Sequence, residues 1–169
     1  GGWSHTHTQP GGRYMTELVG WAEYLARSDA FPQWDILPSD HVTLPEISRF
    51  KLLILPSVLV VSAQNRSVLE QYLDHGGRIL TTGFTGDYGG PENYLMPNEE
   101  DIIGQLAADY PGQVTQTASR PGLAYQENPG GTEQQAMDHL LASASAHVPV
   151  LNAINAPTNI CIHLSESQR

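Results

Sequence analysis

The clearest indication of the fold class is the segment from Lys51 to Gly86, KLLILPSVLVVSAQNRSVLEQYLDHGGRILTTGFTG. It opens with residues 51–56, a short apolar run ended by proline, which is typical of a strand covered on both faces. After Ser62, a good N-cap, apolar residues recur at helical spacing until Gly76-Gly77 ends the helix. Residues 78–82 then begin a second strand. A strand, a helix and a strand this close together predict a right-handed parallel crossover, and therefore an α/β fold.

The rest of the chain predicts further elements of the same kind. Amphipathic spacing, capping boxes and turn residues mark where they begin and end. They are a helix over 14–27, a strand over 34–38, a short helix opened by the Thr43 capping box, a helix capped by Asn98 that ends near residue 109, a strand over 113–118, a loop over 119–131, a helix from the Thr132 capping box to about residue 146, and one or two strands within 148–164.

Composition limits the classes of function. The 169 residues suffice for one domain with a real core. A net charge of -10, from 18 acidic and 8 basic residues, argues against nucleic-acid binding, which needs clustered Lys and Arg. We find no signal peptide and no apolar run long enough to span a membrane, so we expect no membrane partner. The start lacks an initiator methionine. We therefore expect a piece of a larger protein, whose location stays open, with a cytoplasmic bacterial protein favoured.

Metal and cofactor chemistry has little support in the sequence. Cys161 is the single cysteine, which excludes an internal disulfide and a Cys-rich zinc site. His5 and His7 alternate along the chain, but two ligands without a third are more simply a polar terminus. The loop over residues 83–86 lacks the lysine of a phosphate-binding loop and is followed by loop, not helix. We therefore expect no metal and no cofactor.

Four phrases of the chain resemble one known family. They are RFKLLILPS at residues 49–57, LDHGGRILTTGFTG at 73–86, YMTELVGWAEYL at 14–25 and RPGLAY at 120–125. Together they resemble the class I glutamine-amidotransferase-like domain of bacterial glycoside hydrolases, usually called the beta-galactosidase trimerisation domain. The resemblance spans residues 14–164, densely to Gly86. It implies a flavodoxin-like three-layer sandwich with a mostly parallel sheet over residues 14–155, preceded by a polar segment over 1–13 and followed by the start of a further β segment over 156–169.

The amidotransferase site is predicted to be inactive. An active member carries a Gly-x-Cys-x-Gly turn after the strand that corresponds to residues 78–82. Here that pattern falls on Thr82-Gly83-Phe84-Thr85-Gly86 and places Phe84 at the nucleophile position. Phenylalanine can neither attack a carbonyl nor hold a proton. Cys161 lies in a different strand and cannot replace it, so we expect no catalytic residue in this segment.

A sugar contact is the remaining candidate for chemistry at this edge. Asp87 and Tyr88 follow the turn directly, and an acid beside an aromatic ring can touch a sugar, although a lone acid in a Gly-rich loop usually serves the turn. Hydrolysis of a glycoside needs two carboxyl groups that flank the substrate. The resemblance implies that the two catalytic glutamates belong to a preceding TIM barrel outside this chain.

Three hypotheses of function follow. The first is a non-catalytic accessory and oligomerisation domain of a multidomain glycoside hydrolase, which would contact the catalytic TIM barrel of the parent chain and further copies of itself. The second is a small-molecule (sugar) binding module that uses the crevice at the carboxyl ends of the strands, with carbohydrate as its partner. The third is a diverged enzyme.

The sequence also leaves a gap in the predicted sheet. No apolar strand precedes the helix at residues 14–27, although flavodoxin-like order places such a strand between the second and third strands. The strand at residues 51–56 would then expose an apolar edge, which native sheets avoid. We expect the chain to associate, to exchange a segment, or to fill the gap with residues 3–9 or with the Ile160 strand.

Overall fold

The computed structural model describes residues 14–28, 33–38, 42–88, 97–98, 100–145 and 159–164. Within this part the chain is α/β, which confirms the fold class at that level. The elements in chain order are α1 (Tyr14–Arg27), β1 (Gln33–Pro38), α2 (Leu44–Ile47), β2 (Leu52–Pro56), α3 (Ala63–Asp74), β3 (Arg78–Thr82), α4 (Ile102–Asp109), β4 (Val114–Thr117), α5 (Pro121–Glu127), α6 (Gly131–Ser145) and β5 (Asn159–Leu164).

The five described strands form one sheet in the order β1-β5-β2-β3-β4. Each neighbouring pair is parallel, including β2 with β3, which confirms the parallel pairing predicted for residues 51–86. The helices between successive strands supply the crossover connections that parallel pairing requires.

The last described strand occupies the gap that the sequence analysis anticipated. β5 lies between β1 and β2, with Ile162 opposite Ile36 on one side and opposite Ile54 on the other. Residues 159–164 therefore belong to the same sheet, which differs from the expected boundary at residue 155 and agrees with the alternative that the Ile160 strand fills the gap. The other candidates for that role, residues 3–9, lie outside the described residues.

Helices cover both faces of this sheet. Because successive side chains of a strand point to opposite faces, Leu53 and Leu55 of β2 join one apolar cluster while Leu52 and Ile54 join the other. The first cluster includes residues of α2, α3 and α4, and the second includes residues of α1, α5 and α6. The described part of the chain is thus a three-layer arrangement with a core on each side of the sheet.

The local signals around α3 are confirmed. The Ser62 side chain accepts a hydrogen bond of 3.1 Å from the Asn65 backbone N–H, as an N-cap does. After the helix, Gly76 adopts a φ of 85°, in the left-handed region where glycine carries no steric cost. Both ends of this helix are therefore set by short-range contacts that can be predicted from the sequence.

Other local predictions need correction. Asn98 does not cap α4, since its side-chain amide donates to the Gly86 carbonyl and Asp101 serves as the cap, accepting from Gly104 N at 2.8 Å. The predicted loop over 119–131 contains helix α5, Pro121–Glu127, which packs on α1. Thr43 precedes α2 without a side-chain cap bond, and α6 begins at Gly131, one residue before the expected cap.

Among the described residues, no helix is long and apolar enough to cross a membrane.

Candidate functional site at the carboxyl edge of the sheet

A tight turn at the end of β3 forms the centre of the candidate site. Gly83 and Gly86 adopt φ values of 60° and 81°, which a residue with a Cβ adopts only with strain. The Gly83 N–H lies 3.0 Å from the Thr117 carbonyl and 2.9 Å from that of Ser119, so the turn is held against the end of β4. The turn is therefore a rigid feature of the carboxyl edge.

The hydroxyl of Thr85 joins this turn to the end of β2. Its Oγ1 lies 2.8 Å from the Leu55 carbonyl and 2.9 Å from the Thr82 carbonyl, and it accepts a hydrogen bond of 3.2 Å from Val58 N. With both strand ends tied to one buried hydroxyl, the segments after β2 and β3 hold a fixed relative position. Thr85 therefore has a structural role.

Phe84 sits at the tip of the turn, between the two glycines. Its ring is half-buried, and the guanidinium carbon of Arg120 lies 5.4 Å from the ring centroid. This is a distance at which a cation is attracted to an aromatic face. Cys161 lies in β5, which β2 separates from β3 in the sheet order. The turn thus presents an aromatic ring and no thiol, hydroxyl or imidazole at this position.

Ser57, which the sequence analysis did not single out, lies beside the turn directly after β2. It has a φ of 51°, in the left-handed region, and is 1% exposed. Its Oγ has no hydrogen-bond partner among the described residues, and a Cβ on Gly83 would lie 2.2 Å from it. A strained residue with an unpaired buried hydroxyl costs about 1–3 kcal/mol for each feature, and both features concentrate at functional sites. In the sequence, Ser57 is marked only by its position after the proline that ends an apolar strand.

Glu17 of α1 has a carboxylate buried behind the turn. It is a second residue that was not predicted from the sequence. It is 0% exposed, and its oxygens accept from Trp21 Nε1 at 3.0 Å, from Thr82 Oγ1 at 2.6 Å and from Leu123 N at 2.6 Å. Burial raises the pKa of Glu17, and these hydrogen bonds oppose that rise. The carboxylate has donors on three elements, so its geometry is that of a structural junction.

Asp87 and Tyr88, the predicted sugar contacts, border an open cleft next to the turn. The cleft has a volume of about 450 Å³ and is lined by Thr85, Gly86, Asp87, Tyr88, Pro97, Asn98, Glu100 and Asp101. Partial desolvation and then the neighbouring charge of Asp101 raise the pKa of Asp87. Asp87 itself is exposed and Tyr88 half-buried. The structure therefore brings both residues to one cleft, with two more carboxylates on its wall.

The other candidates from the sequence are not part of this site. His5 and His7 lie outside the described residues, and no group of three or more metal-ligating side chains occurs within the part of the chain that is described. Comparison with known proteins gives no further assignment, since no family model, no curated protein and no solved structure matches this chain.

Proposed function

We propose that this chain is a non-catalytic, amidotransferase-like domain that supports the assembly of a multidomain glycoside hydrolase. The observation that carries the proposal is Phe84 at the tip of the turn after β3, with Arg120 over its ring. In the amidotransferase-like layout this tip is the nucleophile position. An apolar ring there leaves the scaffold without that chemistry.

The contact between two distant phrases of the chain supports the family resemblance behind this proposal. The phrase at residues 14–25 forms most of α1, and the phrase at 120–125 opens α5. A Cβ on Gly20 would lie 1.8 Å from the Gly122 carbonyl oxygen, and a Cβ on Gly122 would lie 2.2 Å from the Glu17 carbonyl oxygen. The close approach of the two helix backbones thus explains why both phrases carry a glycine at this contact.

The sheet order also supports a flavodoxin-like fold. The order β1-β5-β2-β3-β4 corresponds to flavodoxin-like order when β5 takes the place of the strand that would precede α1. One helix layer holds α1, α5 and α6 and the other holds α2, α3 and α4. We therefore propose the class I amidotransferase-like variant of this fold.

Size-exclusion chromatography with light scattering over a range of protein concentrations tests the assembly role. We expect a trimer or another defined oligomer. Met15 and Val19, one helical turn apart on α1, are the exposed large apolar residues of the described part, at 45% and 40% exposure. A Met15→Glu/Val19→Glu variant is the first probe of the interface, with Ala63→Glu on the exposed face of α3 as the matched control. A chain that stays monomeric at every concentration would contradict the proposed role.

A second candidate function is sugar binding at the cleft that Asp87 and Tyr88 border, and the open volume of about 450 Å³ favours it. Carboxylates accept hydrogen bonds from sugar hydroxyls, and Tyr88 adds a ring and a phenol group. Titration with galactose, followed by NMR, tests it. We expect Asp87→Asn to weaken binding and Asp74→Asn, an exposed change at the end of α3, to leave binding unchanged. Absence of saturable binding excludes this candidate.

A further inference from the structure

A second polar pocket lies within the helix layer of α1, α5 and α6. The bond from Glu17 to Thr82 places the start of α1 at the carboxyl edge of the sheet, so Arg27, the last residue of α1, lies toward the opposite edge. The pocket there has a volume of about 260 Å³, and Tyr24, Arg27, Tyr125, Gln134 and Asp138 contribute to its wall. It is therefore separate from the cleft beside Asp87.

Two tyrosines form the floor of this pocket. Tyr24 and Tyr125 are each 3% exposed, and their rings meet edge to face with centroids 5.9 Å apart. Both residues line the pocket, and their hydroxyl groups are hydrogen-bonded to Asp138 and Arg27, which line it too. The floor is rigid and offers hydrogen-bonding groups in place of an aromatic face.

Each tyrosine hydroxyl holds one charged side chain of the wall. The Tyr24 hydroxyl donates to Asp138 Oδ1, and Arg27 Nη1 donates to the Tyr125 hydroxyl over 3.4 Å. The ion pairs between described residues do not include one between Arg27 and Asp138. A cation and an anion thus border the same open volume without forming a direct ion pair.

We propose that this pocket binds a small carboxylate that also carries an amino or hydroxyl donor. The guanidinium of Arg27 is a planar fork that matches a carboxylate in two hydrogen bonds. Asp138 accepts one bond from Tyr24 and keeps acceptor sites for the donor of the ligand. The Gln134 amide adds both a donor and an acceptor to the wall. The ligand completes the charge pair that the side chains leave open, and this site does not depend on the proposed assembly role.

Isothermal titration calorimetry of the full chain with serine, glucuronate and glucose tests the site. Serine represents amino acids, glucuronate represents sugar acids, and glucose is the neutral counterpart without a carboxylate. We expect saturable binding of serine or glucuronate with a Kd at or below about 1 mM, and at least about tenfold weaker binding of glucose. Binding of glucuronate shows that a hydroxyl donor suffices, whereas binding of serine without binding of glucuronate indicates that the ammonium group is required.

Three variants assign the binding to this pocket. We expect Arg27→Gln and Asp138→Asn each to weaken binding by about tenfold or more, because each removes one charge of the pair. Tyr125→Phe keeps the ring but releases Arg27, and it should weaken binding by a smaller factor. Arg49→Gln, at an exposed arginine paired with Asp35 and Glu46, is the control that should bind as wild type does.

The proposal is overturned if neither carboxylate shows saturable binding, or if glucose binds as tightly as glucuronate. It is equally overturned if Arg27→Gln, folded by circular dichroism, binds with unchanged affinity. Should that variant fail to fold, Tyr125→Phe decides in its place, since unchanged affinity there removes the role of the positioned guanidinium.

Discussion

The carboxylate of Glu17 and the hydroxyl of Thr82 are joined by a hydrogen bond of 2.6 Å across 65 residues of sequence. It links the first turns of α1 to the last residue of β3. The same carboxylate receives the Leu123 N–H at the start of α5. One buried side chain therefore fixes three elements directly behind the turn that carries Phe84.

Replacing this carboxylate should destabilise the chain. Glu17→Ala leaves the indole N–H of Trp21, the hydroxyl of Thr82 and the N–H of Leu123 without their acceptor, and we expect a loss of about 3 kcal/mol in the free energy of unfolding. Urea denaturation followed by circular dichroism measures it. Glu46→Ala, at an exposed site of α2, should cost less than about 1 kcal/mol. Equal losses at the two sites would contradict the junction role of Glu17.

Stability should also depend on pH through Glu17. Burial raises its pKa in the folded chain above the ordinary value of 4.5, so the folded state binds the proton more tightly than the unfolded state. The stabilisation from this group is fully present below the unfolded pKa and is lost as the pH rises through the folded pKa.

The matched variant for this effect is Glu17→Gln, which does not titrate at that site. We expect the free energy of unfolding of wild type, relative to Glu17→Gln, to fall as the pH rises above the ordinary pKa of 4.5 and through the raised pKa of the folded chain. Asp87, whose pKa is also raised, titrates in both proteins and cancels in the difference. If the difference in free energy of unfolding between the two proteins stays constant or grows with pH, the pKa of Glu17 is not raised in the folded chain.

Because the backbones of α1 and α5 are in close contact, a Gly→Ala change in α1 should alter stability in the direction opposite to the usual one. In a helix interior Gly→Ala ordinarily stabilises by about 1 kcal/mol. At Gly20 the new Cβ would lie 1.8 Å from the Gly122 carbonyl oxygen, which is backbone and cannot rotate away. We therefore expect Gly20→Ala to destabilise by about 2–3 kcal/mol or more, measured by thermal unfolding.

The control for this contact is Gly76→Ala. A Cβ there meets nothing within 4 Å, but the φ of 85° is left-handed, so only a backbone penalty of about 1–2 kcal/mol remains. Stabilisation by Gly20→Ala would show that the two helices do not approach closely.

Phe84→Cys should not create amidotransferase activity. A thiol at the tip of the turn needs a base to form the thiolate. Among the described side chains, no histidine is hydrogen-bonded to this turn. We expect glutaminase, esterase and peptidase assays of the wild type and of the variant to stay at background. Thiol-dependent turnover by the wild-type chain would remove the inactive assignment.

The place of β5 inside the sheet, with a partner strand on each side, makes Ile162 a sensitive backbone position. It faces Ile36 of β1 on one side and Ile54 of β2 on the other, so a proline disturbs a ladder whichever way its nitrogen points. We expect Ile162→Pro to cost about 3 kcal/mol or more, or to cause association visible by light scattering. Gln116→Pro in β4 should cost less, because among the described strands β4 pairs only with β3. Equal losses of stability in the two proline variants would argue against a position of β5 between β1 and β2.

The elements that depend on short-range chemistry can be predicted from the sequence. Ser62 and Gly76 mark the ends of α3 because a side-chain cap and a left-handed glycine act within a few residues. The apolar run over residues 51–56 identified a doubly buried strand, since alternate residues of β2 enter both cores. The prediction that Asn98 caps α4 is wrong because its side-chain amide donates to the Gly86 carbonyl in the turn after β3. No local sequence pattern predicts that contact.

The strand order of the sheet and the surroundings of the turn arise from long-range contacts. The place of β5 between β1 and β2 depends on pairing between residues about a hundred positions apart, which one sequence does not specify. Helix α5 lies where the sequence predicts a loop, because its seven residues gain their stability from packing on α1 and not from propensity. Glu17 and Ser57 look ordinary in the sequence. Their burial, their partners and the strain at Ser57 arise only when three strands and two helices meet at one edge.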